Sequence, residues 1–292
     1  MKNTTNDPKD PNNWLMVTPS YSGDFEQYTL LNKSFQRYAP EGLLHKTVVN
    51  SQDLELFQKL DHERLELSTV ENTLPGFVKK VSKFWISSKF FPVRPWVLQQ
   101  LIKIQCAANS ERPYILFVDS DVIFLKSFSM NKFTDGTNIA LSKVNNHFDD
   151  LDTWANISYK LLGTKRQIDR PKNYISNIIP WRRDTAKKMI KKIEANSRMN
   201  WLRQISSQRT ISEYMLYGLY CESIGLQEAG HYKWDDPILN LVWGERMQTH
   251  EDFEHLLEKT SEEMIGVMFH SKDIANTKIL SEVIHKRWEQ EK

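Results

Sequence analysis

Short apolar runs alternate with amphipathic segments along the first part of the chain. Three runs bounded by polar or turn-forming residues predict buried strands, at residues 14–17, 45–49 and 114–118. Between the first two, apolar residues recur at the spacing of one helix face, at Phe25, Tyr28, Leu31 and Phe35. A second short helix is predicted at residues 54–57. This βαβα order predicts an α/β fold in which helices flank a mixed, mostly parallel central sheet.

The remaining pattern predicts further elements but no second domain. Residues 1–13 are polar and predict a disordered lead-in, and residues 61–91 are irregular apart from a short strand at 65–70. Further strands are predicted at residues 139–142, 174–181 and 265–269. Further helices are predicted from Trp96 to Cys106, near 154–162, from Asp184 to Ala195, from Ser212 onward and at 277–288. Asp24 and Asp184 are expected to cap helices, and Trp96 is expected in the core. Without a repeat or a composition break, residues 14–292 are predicted to form one domain.

Composition excludes several classes of protein. The 292 residues contain 39 Lys and Arg against 37 Asp and Glu, and a net charge of +2 does not indicate a nucleic-acid partner. Hydrophobic residues make up 40% of the chain, which excludes a disordered protein. Cys106 and Cys221 lie far apart, so a reducing, cytoplasmic setting is expected rather than a disulfide scaffold or a cysteine zinc site. The sequence has neither a signal-peptide pattern nor an apolar run near the ~18 residues of a membrane span.

The strongest chemical signal is a pair of aspartates directly after the apolar run at residues 114–118. Asp119 and Asp121 are one residue apart, so on extended backbone their side chains point the same way. The carboxyl end of a parallel sheet is where open α/β folds bind ligands. Two carboxylates beside a buried strand are costly unless a cation binds there, and a hard divalent ion with its phosphates fits. The alternative is a turn that ends the strand.

Three reaction classes use such a pair. A glycosyltransferase holds Mn²⁺ or Mg²⁺ on the diphosphate of a nucleotide sugar, and a nucleotidyltransferase uses two metal ions. A phosphatase of the haloacid dehalogenase type uses the first aspartate as a nucleophile and the second as an acid/base. That type usually carries the motif at the first strand, with Thr or Val where Ile123 stands, so it is disfavoured here. An inactive sugar- or nucleotide-binding module is the alternative without catalysis.

Four segments in order give the chain a resemblance to glycosyltransferases of the GT-A fold. They are VTPSYSGD at residues 17–24, WVLQQLIK at 96–103, FVDSDVIFL at 117–125 and SEY at 212–214. The chain is most similar to a bacterial family of polysaccharide or lipopolysaccharide glycosyltransferases with a DxD motif. The resemblance implies a UDP-sugar or similar donor, a glycan or lipid-linked acceptor, and Mn²⁺ or Mg²⁺. It also implies a nucleotide-sugar half at residues 14–145 and an acceptor-side half at residues 146–292.

The same resemblance implies roles for individual residues on the donor side. The end of the first strand would hold the nucleobase and ribose, through Thr18, Pro19, Ser20 and Tyr21. Side chains beside the next helix would face the donor, namely Arg94, Gln99 and Lys103. Asp119 would contact the ribose or a metal-bound water, and the metal ligands would be Asp119, Asp121 and His270. Lys272 would contact the diphosphate.

A carboxylate at the start of the helix that follows Ser212 is the candidate catalytic base. Inverting GT-A enzymes place such a group below the sugar, which implies that Glu213 deprotonates the acceptor hydroxyl and that the anomeric configuration inverts. A first-turn glutamate favoured by the helix dipole is the alternative. Asp235 and Asp236 are rival bases.

Several aromatic and basic residues are candidates for contacts with the acceptor. Sugars stack on aromatic rings, which draws attention to Trp234 and Trp243, and Asn177 and Trp181 are weaker candidates. The basic residues of the last helix could touch an anionic membrane surface at the inner membrane face, at His285, Lys286 and Arg287.

Overall fold

A five-stranded sheet forms the centre of the computed structural model, which describes residues 6–60, 62–74, 76–81, 84–87, 92–166, 171–242, 247–270 and 277–290. In chain order the strands are β1 (Trp14–Pro19), β2 (Leu44–Val49), β3 (Leu65–Thr69), β4 (Val78–Val81), β5 (Phe84–Ser87), β6 (Pro92–Val93), β7 (Tyr114–Val118), β8 (Val122–Phe124), β9 (Thr134–Asp135), β10 (Asn138–Ser142), β11 (Ile178–Arg182), β12 (His231–Trp234), β13 (Leu239–Val242) and β14 (Gly266–Phe269). The helices are α1 (Phe25–Tyr38), α2 (Leu54–Gln58), α3 (Val70–Thr73), α4 (Pro95–Asn109), α5 (Asp150–Leu162), α6 (Arg183–Ser197), α7 (Trp201–Ser206), α8 (Glu213–Ile224), α9 (Leu226–Ala229), α10 (His250–Glu258) and α11 (Thr277–Gln290).

The central sheet has the strand order β11-β7-β1-β2-β3. β1 is parallel to both β2 and β7, and β2 is parallel to β3, whereas β11 runs antiparallel to β7. Smaller three-stranded sheets have the orders β12-β10-β9, β13-β14-β8 and β4-β5-β6. The predicted α/β class with a mixed, mostly parallel central sheet is therefore confirmed.

Helices cover both faces of this sheet because the side chains of each central strand alternate between two cores. Leu15 and Val17 of β1 belong to the core that includes α4, α5, α6 and α8. Trp14 and Met16 belong to the other core, with α1, α10, α11 and the β8–β14 pair. β7 is buried at every position, as its apolar run predicts for a strand between two neighbours.

Three local predictions need correction. The strand predicted at residues 174–181 begins only at Ile178 and runs antiparallel. Asp184 makes no capping hydrogen bond within the described helix α6; it pairs instead with the adjacent Arg183 (Nε to Oδ1, 3.1 Å). Residues 6–13, placed by sequence in a disordered lead-in, contain a 3-10 helix at Pro11–Asn13 that Asp10 caps, and the Trp14 indole donates to the carbonyl of Pro8 (2.7 Å).

The basic patch predicted on α11 is engaged with neighbouring elements. Lys286 pairs with Glu254 of α10 (2.9 Å), and the Nε2 atom of His285 lies 3.1 Å from Lys33 Nζ of α1. Among the described residues, no helix combines the length and the hydrophobicity needed to cross a bilayer.

Candidate active site

The carboxyl ends of β1 and β7 meet at one edge of the central sheet, where the strand order changes direction. From β1 the chain moves outward through β2 to β3 and then returns to the other side of β1 as β7. Open α/β sheets bind ligands in the crevice beside such a switch, outside the carboxyl ends of the strands. Residues 20–24 follow β1 and residues 119–121 follow β7 at this edge. These two loops form the candidate site.

Backbone hydrogen bonds from two other strands hold the turn at residues 119–121. The Asp119 amide donates to the carbonyl of Asn177, just before β11 (3.1 Å). The amide of Phe269, at the end of β14, donates to the carbonyl of Asp121 (3.2 Å). The backbone of both aspartates is thus fixed by the fold.

Both carboxylate oxygens of Asp119 have partners. Oδ1 accepts from Lys103 Nζ and Oδ2 accepts from Asn177 Nδ2, each at 3.2 Å. The side chain is 30% exposed, so it reaches the surface of the site while it is held from behind. Charge-assisted hydrogen bonds on both oxygens fix the orientation of the carboxylate.

Asp121 lies in a contrasting environment. Its Oδ1 atom is buried and has no hydrogen-bond partner among the described residues. Burial, and then the neighbouring charge of Asp119, raise the pKa of Asp121 above its ordinary value. A buried carboxylate without a partner is costly, and a bound cation removes that cost. Asp121 therefore fits the metal-binding role predicted for it.

The predicted third ligand, His270, follows β14 immediately after the residue whose amide contacts Asp121. Within the described part of the chain, however, no three or more His, Cys, Asp or Glu side chains are grouped closely enough to hold a metal ion. The predicted set of Asp119, Asp121 and His270 is therefore not assembled as a three-residue cage. Lys272, predicted to contact the diphosphate, lies outside the described residues.

Lys103 of α4 is a buried cation, 4% exposed, at the back of the site. Its Nζ atom lies 3.2 Å from Asp119 Oδ1, 3.1 Å from Glu213 Oε1 and 2.8 Å from the Tyr214 hydroxyl. Desolvation by burial acts to lower its pKa, but Asp119, Tyr214 and Glu213 raise the pKa well above the ordinary lysine value. Lys103 thus stays protonated between two carboxylates.

Glu213, the predicted base, begins α8 and is only 2% exposed. Its amide donates to Oε1 of Gln100 (3.3 Å), and its carboxylate forms the ion pair with Lys103. Burial raises its pKa, whereas the charge of Lys103 opposes that rise. The carboxylate of Glu213 is therefore paired with a buried cation, although its Oε1 atom accepts no hydrogen bond from the described residues.

Asp24, predicted to cap α1, does not do so; its side chain makes no capping hydrogen bond in the described helix. A 3-10 turn at Ser22–Asp24 precedes α1 and carries this carboxylate toward the other loop. There its Oδ2 atom accepts from the hydroxyl of Ser120, between the two aspartates (3.1 Å). Burial raises the pKa of Asp24, and the charge of Asp119 acts in the same direction. Asp24 thus joins the loop after β1 to the turn after β7.

The residues predicted to hold the nucleobase and ribose are divided between the core and the site. Thr18 and Pro19 are buried, and the Thr18 hydroxyl lies 3.0 Å from Nε2 of His45. The hydroxyl of Ser20 is buried and has no partner among the described residues. Tyr21 is 51% exposed and interacts with Asp24. Of the four, Tyr21 is the side chain available to a ligand.

The other donor-side predictions on α4 are only partly placed at the site. Arg94 is exposed and donates to the carbonyl of Arg209 (3.4 Å), while Gln99 is half-buried. Trp96, predicted in the core, is 46% exposed and donates to the carbonyl of Ile211 (2.6 Å). Lys103 is the residue of this helix that reaches the carboxylates.

The residues predicted on the acceptor side differ in how far they are exposed. Trp181 is fully buried and stacked on Tyr217, so it does not line an open surface. Trp234 is half-buried and packs edge-on against the ring of Phe133, with the centroids 6.1 Å apart. Asp235 and Asp236 are exposed, and Asp235 pairs with Lys233. Trp243 lies outside the described residues.

Sequence reasoning missed the roles of four residues at this site. Ser120 and Tyr214 lie within the quoted motifs, but spacing did not reveal their contacts with Asp24 and Lys103. Gln100, 1% exposed, is not among the predicted site residues, although the adjacent Gln99 is. Asn177 was considered only for the acceptor side. Its contact with Asp119 depends on the antiparallel direction of β11, for which the sequence holds no signal.

Two cavities formed by described residues lie near the central sheet, and the smaller one is lined by residues next to Asp24. A cavity of about 250 Å³ at the start of α1 is lined by Ser22, Gly23, Glu26, Gln27 and Thr277, and it adjoins Asp24 in the chain. A larger cavity of about 430 Å³ lies at the opposite, amino edge of β1 and β2, lined among others by Leu15, Leu44 and Lys46. The carboxylates are at the carboxyl edge, near the smaller cavity.

Comparison with known proteins gives a family and two similar structures. Residues 15–283 match the model described as "Family of unknown function (DUF6492)". No curated protein matches the chain. A structure of the galactosyltransferase LgtC in complex with donor and acceptor sugar analogs is 11% identical, with a TM-score of 0.49 and coverage of 93% of this chain and 95% of that one. An active-site mutant of LgtC is 10% identical, with a TM-score of 0.48 and the coverage 93% and 95%. Likeness at this level says nothing about substrate or mechanism.

Proposed function

Because the chain belongs to DUF6492, a family of unknown function, we propose its activity from the chemistry of the site. The proposed activity is metal-dependent transfer of a sugar from a nucleotide-sugar donor to a hydroxyl group of a glycan or glycolipid acceptor. The observation that carries it is the Oδ1 atom of Asp121, which is buried beside Asp119 at the switch edge of a mostly parallel sheet and has no hydrogen-bond partner in the described part of the chain. The ordered resemblance of four sequence segments to GT-A glycosyltransferases supports the same proposal.

Asp121 and Asp119 would hold Mn²⁺ or Mg²⁺. Such ions are commonly bound by one or two carboxylates together with substrate phosphates and water, so a three-residue protein cage is not required. When bound, the ion would neutralise the charge that develops on the departing nucleoside diphosphate. His270 directly follows Phe269, whose amide donates to the carbonyl of Asp121, and it is the candidate third ligand.

The chain's own residues would orient the donor around these carboxylates. Lys103 and Asn177 hold the carboxylate of Asp119 in one orientation. Tyr21 offers an exposed ring after β1 for the nucleoside, and Asp24 ties that loop to the turn through Ser120. Correct mutual placement of donor and acceptor is itself a large part of catalysis of group transfer. Because Glu213 is buried against Lys103, the proposal assigns no base and no inversion of configuration.

The decisive experiment measures products from nucleotide sugars. Purified protein is incubated with a panel of UDP-hexoses, with and without Mn²⁺, and released UDP is quantified. We expect Mn²⁺-dependent release that falls at least about 100-fold in Asp121→Asn, in line with the loss of one group that stabilises charge in the transition state. The matched control is Asp184→Asn, since Asp184 is 64% exposed and pairs only with its neighbour among the contacts described.

Other outcomes contradict the proposal in distinguishable ways. Release of inorganic phosphate from sugar phosphates, without UDP release, indicates a phosphatase that uses the same two aspartates. Binding of UDP-sugars without any turnover across the panel indicates a binding module. UDP release that is equal in Asp121→Asn and wild type rules out the metal role of Asp121.

A further inference from the structure

One face of α4 and the start of α8 meet behind the candidate site. Trp96, Gln100 and Lys103 are spaced by four and three residues, which places them on one face of α4. This face contacts the start of α8: the Trp96 indole donates to the carbonyl of Ile211 (2.6 Å), and Gln100 Oε1 accepts from the amide of Glu213 (3.3 Å). The third contact is the ion pair of Lys103 with the Glu213 carboxylate (3.1 Å).

The ion pair of Lys103 and Glu213 is buried, whereas the neighbouring Asp119 reaches the surface of the site. The side chains of Lys103 and Glu213 are 5% and 2% exposed, whereas that of Asp119 is 30% exposed. The Lys103 ammonium lies within 3.2 Å of both carboxylates. It also lies 4.4 Å from the centre of the Tyr214 ring and donates to the Tyr214 hydroxyl and to Asp119 Oδ1, whereas its contact with Glu213 is an ion pair without a hydrogen bond among the described residues. Lys103 thus forms the link between Glu213 and Asp119.

We propose that Glu213 and Lys103 are positioning residues: Glu213 holds the Lys103 ammonium against Asp119 and thereby fixes the carboxylate that meets the donor and its metal ion. Glu213 is then not the base that accepts the proton of the acceptor hydroxyl. This inference rests on the proposed function, because it assigns a purpose to the orientation of Asp119. A positioning role explains why Glu213 lies behind the site with only 2% of its surface exposed.

The two roles of Glu213 predict different changes in Glu213→Gln. Loss of a residue that orients a metal ligand typically weakens metal affinity by about 10–100-fold. If Glu213 is a positioning residue, Glu213→Gln should weaken Mn²⁺ binding in the presence of UDP by at least about 10-fold. Its kcat at saturating Mn²⁺ should stay within about 10-fold of the wild-type value. Loss of a general base instead lowers kcat by about 10²–10⁴-fold and leaves Mn²⁺ affinity unchanged.

The experiment titrates Mn²⁺ into the full-length protein with UDP present and follows free Mn²⁺ by electron paramagnetic resonance, a readout independent of turnover. The control is Glu222→Gln, since Glu222 lies on the same helix and forms a more exposed ion pair with Lys143 (2.7 Å). We expect wild-type affinity in this control. Lys103→Met combined with Glu213→Gln replaces the whole pair by neutral side chains, and we expect its Mn²⁺ affinity to match that of Lys103→Met alone, because Glu213 acts only through Lys103.

Each result has one meaning. Glu213→Gln with wild-type Mn²⁺ affinity overturns the inference, whether or not kcat falls, and a 100-fold fall in kcat then identifies Glu213 as the base. A wild-type protein that binds no Mn²⁺ in the presence of UDP overturns the proposed function, and this inference with it. Thermal unfolding of each variant shows that it is folded. If Lys103→Met alone does not fold, the neutral double variant is compared with Glu213→Gln, and a double variant that binds Mn²⁺ more tightly than Glu213→Gln overturns the inference.

Discussion

At the scale of single residues, the two aspartates of the turn differ more than their shared motif indicates. Asp119 has a partner on each carboxylate oxygen, whereas one oxygen of Asp121 is buried without a partner among the described residues. Folding therefore opposes the ionised form of Asp121. An unfavourable buried charge is typical of a group that is held in place for a ligand.

This difference predicts opposite effects on stability when each aspartate is neutralised. With EDTA present, we expect Asp121→Asn to raise the free energy of unfolding by about 1–3 kcal/mol, because wild type must bury or protonate on folding a carboxylate whose pKa rises to about 8. Asp119→Asn should lower it by about 1–3 kcal/mol, since a charge-assisted contact with Lys103 is lost. Urea denaturation of both variants at pH 7 measures the two values. A less stable Asp121→Asn variant would contradict the cost assigned to that carboxylate.

At the scale of elements, the sequence predicts helices and strands well where apolar periodicity is strong, but it does not predict their contacts. α4 and α8 were expected from their apolar residues, and both are present. Their meeting depends on pairs such as Lys103 and Tyr214, which are 111 residues apart, and no local pattern encodes such a contact. Asp24 was misassigned for the same reason. An aspartate before a helix can cap that helix or accept a hydrogen bond from a distant residue, and the sequence does not distinguish the two. In the structure, the 3-10 turn before α1 carries Asp24 to the hydroxyl of Ser120.

α8 also contains a glycine whose lack of a side chain is required by a neighbour. A Cβ atom at Gly218 would lie 2.2 Å from Cγ of Tyr174, a ring that is 1% exposed and cannot move freely. Alanine gains about 1 kcal/mol in helix propensity, but overpacking costs about 1–3 kcal/mol, and more where backbone must shift. We expect Gly218→Ala to be destabilising by roughly 1–2 kcal/mol in chemical denaturation.

The sign of this effect should reverse when the ring is removed. In a Tyr174→Ala background, which removes the Cγ atom and the ring, the added methyl group of Gly218→Ala has room, and the propensity gain remains. Gly218→Ala should then be neutral or stabilising relative to Tyr174→Ala alone. If it destabilises both backgrounds equally, the contact with the ring is not the cause.

At the scale of the whole molecule, the order of strands places the site, and this order was only partly predictable. The βαβ rhythm predicts a parallel sheet and the apolar run of β7 predicts a central strand, so the edge that carries Asp119 and Asp121 followed from sequence. The antiparallel direction of β11 did not follow, and it is this direction that brings Asn177 to Asp119. The small sheet β4-β5-β6 was missed because its strands are short.

Two buried histidines in different cores make the stability of the fold depend on pH. His45 lies on the α1 side of the central sheet beside Thr18, and His231 contacts Tyr217 of α8 (Nε2 to hydroxyl, 2.8 Å). Burial lowers the pKa of each from 6.5 to about 3. Between those values the unfolded chain binds protons that the folded protein excludes, so their stability contribution is complete above pH 6.5 and is lost as pH falls toward 3.

Acidification from pH 6.5 to 5 should therefore cost roughly 2 kcal/mol for each of these histidines, at about 1.4 kcal/mol per pH unit. Urea unfolding at half-unit steps of pH measures the slope for wild type, His45→Gln and His231→Gln. Each variant should be less stable at pH 7, because it disturbs a packed site, but its stability should fall less steeply with acid. The slope is the discriminating quantity, since a packing defect shifts the whole curve while the loss of a titrating group flattens it. If both variants keep the wild-type slope, protonation of these buried rings does not limit the stability of the fold in acid.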